Sequence, residues 1–155
     1  MGHDYLFEIG TKAGVTDPVE RALKHDIAHL GLARVKNVSS AQLYKVTGHL
    51  STEEQSRIAG DLLCDPVIQE RRDEPDPDRD RRAMIIDVWY KAGVTDAVGD
   101  SVLKGIKDLN IRGVQDVRTG MRYRLQGVTR REAAEKIALA ILMNPLVQDS
   151  NIYAD

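Results

Sequence analysis

Several residue types are scarce. Among 155 residues there is one cysteine, one phenylalanine and one tryptophan. The single thiol, Cys64 in "LLCDP", forms no intramolecular disulfide, and its apolar setting marks a buried, reduced side chain, which fits a cytoplasmic location. No stretch approaches the roughly 18 apolar residues that span a bilayer. The start, "MGHDYLFEIG", has no basic segment followed by a long apolar one, so neither a membrane nor secretion is expected. An excess of one charge is also missing, since 22 Lys and Arg stand against 24 Asp and Glu. Such a balance gives no general pull toward phosphate backbones, and without interleaved aromatics on the strands nucleic acid is not an expected partner. Gly-rich phosphate loops and nucleophile elbows are absent too.

What is present is a repeat. "KAGVTD" stands at Lys12 to Asp17 and again at Lys91 to Asp96, an offset of 79 that continues without a gap. Ile27 meets Ile106, Leu30 meets Leu109, Val38 meets Val117, Tyr44 meets Tyr123, and "LLCDPVIQE" lies over "ILMNPLVQD". The chain reads as a tandem duplication: a first unit over 1–71, a linker over 72–82 and a second unit over 83–155. The linker, "RDEPDPDRDRR", has no apolar residue and two prolines. Extended at about 3.1 Å per residue, it could reach on the order of 35 Å.

Within each unit the hydrophobic period switches in a fixed order. "YLFEIGTK" and "AMIIDVWYK" read as strands. Gly14 and Gly93 suit a turn with positive φ, and Asp17 and Asp96 suit helix N-caps, which explains both carboxylates more simply than a catalytic pair does. Val19, Leu23, Ile27 and Leu30 form a helical stripe, repeated as Val98, Val102, Ile106 and Leu109. "ARVKNVSSAQLYKVTGHL" and "RGVQDVRTGMRYRLQGV" predict a hairpin, turning at Ser-Ser-Ala and Arg-Thr-Gly. "STEE" and "TRRE" predict a capped second helix ending before Asp65-Pro66 and Asn144-Pro145, and a fourth strand closes each unit. The fold class is therefore α+β, two ferredoxin-like β-α-β-β-α-β units paired as an intramolecular pseudo-dimer. Their helix-free sheet faces are expected to bury one another.

No residue pattern points to catalysis or to a bound cofactor. His25 and His29 have the i, i+4 spacing of zinc ligands but no third ligand, and the second unit has Lys104 and Asp108 there, so exposure explains them and no metal is expected. The largest charge divergence is Arg118, Arg122, Arg124, Arg130 and Arg131 against Ser39, Leu43, Lys45, Ser51 and Thr52. Three readings stand: a solvated face, an acidic partner surface, or bound phosphate.

"KAGVTDP" followed by the closing "LLCDPVIQE" and "ILMNPLVQD" at fixed separation resembles the PurS family, over about residues 5 to 71 and 83 to 153. The family commonly reads Asp-Pro-x-Gly after the turn. Here the first unit keeps Pro18 but has Glu20, and the second has Ala97 but keeps Gly99; Asn110 stands where the first unit has Gly31. The resemblance implies a small, non-catalytic subunit of phosphoribosylformylglycinamidine synthase, the ATP-dependent, glutamine-hydrolysing C–N ligase of purine biosynthesis. It implies partners, a PurL-type synthetase and a PurQ-type glutaminase, with the PurS pair joining them and assisting ammonia transfer. Further self-association is compatible with it. ATP, magnesium and glutamine are used by the complex, none bound by this chain. A chain of this kind is similar to the front end of PurS–PurL fusions. A different class, the ACT-like sensor that binds an amino acid between paired units, remains the alternative; the closing Asn/Asp-Pro strand is not required for it.

Overall fold

The computed structural model describes residues 2–31, 34–73 and 83–154. The first unit runs β1 (His3–Thr11), α1 (Pro18–Leu30), β2 (Asn37–Gly48), α2 and β3 (Gln69–Arg71), where α2 is α-helical over Thr52–Arg57 and π-helical over Ile58–Leu63. The second repeats the order as β4 (Ala83–Tyr90), α3 (Ala97–Asp108), β5 (Val114–Gln126), α4 and β6 (Gln148–Ala154), with α4 α-helical over Arg131–Ile137 and π-helical over Ala138–Leu142. The class is α+β, with two ferredoxin-like units paired as a pseudo-dimer in one six-stranded antiparallel sheet of order β3-β1-β2-β5-β4-β6. Of the linker read at 72–82, all but Arg72 and Asp73 lies outside the described residues.

Local chemistry accounts for the element ends. The Asp17 carboxylate accepts from Val19 N at 2.9 Å, Pro18 occupies the first helical turn, and Gly31 ends α1 at φ 67°. Asn110 takes the same left-handed role after α3 at φ 62°, as the residue that tolerates that conformation best after glycine. Ser51 and Glu54 form a reciprocal capping box, whereas Arg130 begins α4 without a side-chain cap. Both second helices widen at the same place, where Cys64 N donates to Ala59 O at 3.0 Å and Met143 N to Ala138 O at 3.1 Å.

Three expectations need correction, the first being the capped start read at "TRRE": the cap position is Arg130, not Thr129, and it makes no side-chain capping bond. Each predicted hairpin is one unbroken strand, 12 residues in β2 and 13 in β5. Ser39-Ser40-Ala41 and Arg118-Thr119-Gly120 demand no left-handed backbone, and they lie within the ladder that joins the units. Nor do the units stack sheet on sheet. They join edge to edge through antiparallel β2 and β5, with Gln42 opposite Met121. These two are equivalent at the 79-residue offset, so the pseudo-twofold axis passes between them.

The first helices cross that seam. Ile27 of α1 is fully buried among Met84, Ile86, Leu125 and Ile137 of the second unit, and Ile106 of α3 among Phe7, Ile9, Val46 and Ile58 of the first. Neither unit owns a complete core; fully burying one isoleucine contributes roughly 1.5–3 kcal/mol. The rest of each helical stripe is less sheltered, with Val19 54% and Val98 55% exposed.

Candidate functional site

On the sheet face away from the cores, strand alternation puts charged side chains where the apolar neighbours point inward. Phe7 and Ile9 face a core, so Glu8 faces the other way; Ile86 and Val88 do the same for its equivalent Asp87. Both carboxylates are only 6% exposed. Glu8 receives Arg124 through two bonds, Nη1 to Oε2 at 2.6 Å and Nη2 to Oε1 at 2.9 Å, and Arg122 Nη1 at 2.7 Å. Arg122 also grips Asp87, Nε to Oδ1 at 2.7 Å and Nη2 to Oδ2 at 3.0 Å, and the Tyr153 hydroxyl donates to Asp87 Oδ2 at 2.9 Å. Arg72 Nη1 stands 3.5 Å from Glu8 Oε2, its guanidinium lying over Gly10, where a side chain would collide with it.

The arginines reach β1 by crossing β2. Directly opposite Arg124 and Arg122 on β2 are Ser39 and Ala41, small enough for both guanidinia to pass above. Burial alone would raise the Glu8 pKa, but the hydrogen bonds and charges of Arg124 and Arg122 overcome it and hold the carboxyl at about 2. Burial and the bond to Asp87 push the Tyr153 hydroxyl up to about 12.

Of the arginines read as one surface, then, Arg122 and Arg124 belong to the interior of the chain. Their pairing removes the premise that they need an outside partner. Arg118, Arg130 and Arg131 are exposed; Arg118 stands 3.6 Å from Asp116 and Arg131 3.3 Å from Glu135. His25 and His29 stack with ring centroids 6.2 Å apart, and no cluster of three metal-ligating side chains occurs among the described residues. Cys64 is partly covered at the edge of the first core, where burial pushes its thiol up.

The repeated "KAGVTD" turns have matching backbones, Gly14 at φ 83° and Gly93 at φ 84°. Beside each lies a turn built alike in the two units, joined to it by Lys12 N donating to Ile68 O and Lys91 N to Val147 O, both at 2.9 Å. Asp65 Oδ1 accepts from Val67 N and Asn144 Oδ1 from Leu146 N, at 3.0 and 3.1 Å, while Gln69 and Gln148 side-chain oxygens accept from Asp65 N and Asn144 N. Pro66 and Pro145 sit inside these turns, and Lys12 Nζ donates to Pro66 O at 2.5 Å. At the tips Val67 and Leu146 are 77% and 84% exposed.

The departures from the Asp-Pro-x-Gly pattern compensate each other. In the second unit Gly99 lets α3 approach β5 closely, since a Cβ there would strike Val117 O, and Asp96 accepts from Gly99 N at 2.8 Å and Thr119 N at 2.6 Å. In the first unit Glu20 replaces that glycine, and its own Oε1 accepts from Ser40 N, the equivalent of Thr119 N, at 2.8 Å. Burial raises the Glu20 pKa. Beside Glu20 a cavity of about 270 Å³ reaches Gly14, Lys12, Ser39 and Arg124.

These features define a duplicated α+β subunit in which two related units share one sheet and exchange helices across a charged seam. The PurS family model, described as phosphoribosylformylglycinamidine (FGAM) synthase, matches residues 6–74 and 83–154. The chain belongs to the PurS family as two units in tandem, and its role lies in FGAM synthase in purine biosynthesis. No curated protein matches it significantly. Among the described residues no helix is long and apolar enough to cross a membrane.

Glu8, Asp87, Arg72 and Tyr153 were not singled out from the sequence. The available signal was a carboxylate at the same alternating position in two apolar strands, "LFEIG" and "IIDVW".

Proposed function

We propose that the chain is the non-catalytic assembly piece of FGAM synthase, joining a PurL-type synthetase to a PurQ-type glutaminase and assisting ammonia transfer between them. The family match across both units carries this reading. It is supported by the fate of the acid–base groups near the pseudo-twofold axis: Glu8 is engaged by Arg122 and Arg124 of the other unit, and Asp87 by Arg122 and Tyr153 of its own. ATP, magnesium and glutamine are handled by the partners. The decisive experiment mixes purified chain with synthetase and glutaminase in ADP and glutamine. Co-elution and a higher glutamine-dependent rate are expected, with no glutaminase or ATPase activity from the chain alone; failure of both co-elution and rate enhancement refutes it.

On this reading the exposed Arg118, Arg130 and Arg131 meet an acidic patch on one partner, while Ser39, Ser51 and Thr52 leave the equivalent first-unit surface uncharged. The cavity beside Gly14 favours one other reading, an amino-acid-sensing pseudo-dimer. A saturable thermal-shift response to an amino acid would select it.

A further inference from the structure

We infer that the seam is heterotypic: β5 of the second unit fits a first-type edge, one carrying small residues and a carboxylate on the next strand, and does not fit a second copy of itself. On the helix-free face Ser39, Ala41, Leu43 and Lys45 stand opposite Arg124, Arg122, Gly120 and Arg118. Large side chains of one unit meet small ones of the other at three of the four places. At the fourth, the two cations are separately occupied: Lys45 Nζ lies 4.7 Å from the Trp89 ring centroid and Arg118 is beside Asp116.

A second unit pairing with itself in the same register reverses this logic. Because the axis passes through Met121, Arg118 would face Arg124 twice and each Arg122 would face Gly120 diagonally beside the other Arg122. Six guanidinia would crowd the seam, and each copy brings Asp87 to it in place of the Glu8 that takes both Arg122 and Arg124 here. Like charges opposite one another on a ladder destabilise it, and a buried charge without its partner is costly. A first unit paired with itself meets no such conflict, since Ser39 would face Lys45 and Ala41 would face Leu43, with one Lys45 for each Glu8. The duplication is therefore not interchangeable with a symmetric dimer of its second half. Arg122 and Arg124 select the partner and the first unit's small residues admit them.

The test cuts the intact chain and asks which halves find each other. A specific protease site is placed between residues 74 and 82, and the folded chain is cleaved, unfolded in urea, refolded and weighed by native mass spectrometry. The second fragment is expected only in a 1:1 complex with the first; homodimers of the second fragment would overturn the inference. If the cut chain does not refold, urea midpoints of two uncut variants decide. Leu43→Arg with Lys45→Arg gives both edges second-type residues and should lower the folding equilibrium constant about 100-fold or more. Arg122→Leu with Arg124→Lys gives both edges first-type residues and should lower it less. Equal losses, or the reverse order, would overturn the inference.

Discussion

Replacing Glu8 by glutamine keeps the shape of the seam and removes one charge. Glu8 is 6% exposed and its pKa is held at about 2 instead of 4.5. At roughly 1.4 kcal/mol per unit, the charged form contributes about 3 kcal/mol to folding. Removing one partner from a buried ion network costs a similar 3–5 kcal/mol by analogy with measured cases. For a chain of this length that lowers the melting temperature by about 10 °C. The sign with pH is fixed by the direction of the shift. A carboxyl with a depressed folded-state pKa stabilises fully above its unfolded pKa, and the contribution is lost as pH falls from 4.5 toward 2. Urea unfolding of wild type and Glu8→Gln, followed by far-ultraviolet circular dichroism, should show a gap of about 3 kcal/mol at pH 7 that closes by about pH 2. A Glu8→Gln protein as stable as wild type at pH 7, or a gap that does not shrink with acid, would refute the reasoning.

Gly120→Ala should destabilise by about 2 kcal/mol, because its Cβ would stand 2.5 Å from Val88 O and 2.8 Å from the Trp89 ring. Gly60→Ala, with nothing within 4 Å, should be neutral or slightly stabilising, and thermal melts of both variants check the contrast. Asp96→Ala should cost about 2–3 kcal/mol and Asp17→Ala about 1 kcal/mol, although both sit in "KAGVTD". The difference arises because Asp96 is buried and also holds Thr119 N and Oγ, whereas Asp17 caps one N–H; urea midpoints measure it. Serine at Arg118, Arg130 and Arg131 should slow association with the partner subunits and flatten its salt dependence while leaving the melting temperature within about 2 °C. Association rates unchanged across a salt series would show those arginines to be a solvated surface.

Much of the local structure was legible because its causes are local. The 79-residue offset, Gly31 as a helix stop, the Ser51 capping box and the breaks at Pro66 and Pro145 each follow from a few neighbouring residues. The hairpins misled for the same reason. Ser-Ser-Ala and Thr-Gly resemble turn residues when only the chain before and after them is considered, but their small size serves a strand on the other unit. Likewise "VRTGMRYR" reads as an uncovered basic face only while Glu8, 116 positions away from Arg124, is out of view.

The sequence by itself determined that the chain is a duplicated α+β protein with matched turns, caps and closing motifs, since hydrophobic period, capping and backbone conformation act over a few residues. Only the tertiary structure decided that the units join edge to edge, that Ile27 and Ile106 are buried in each other's unit, and that Arg122 and Arg124 turn inward. Those outcomes depend on which distant strands come to lie side by side. A one-residue change of register would send the same arginines to the opposite face of the sheet, and no pattern confined to one strand records the register of its neighbour.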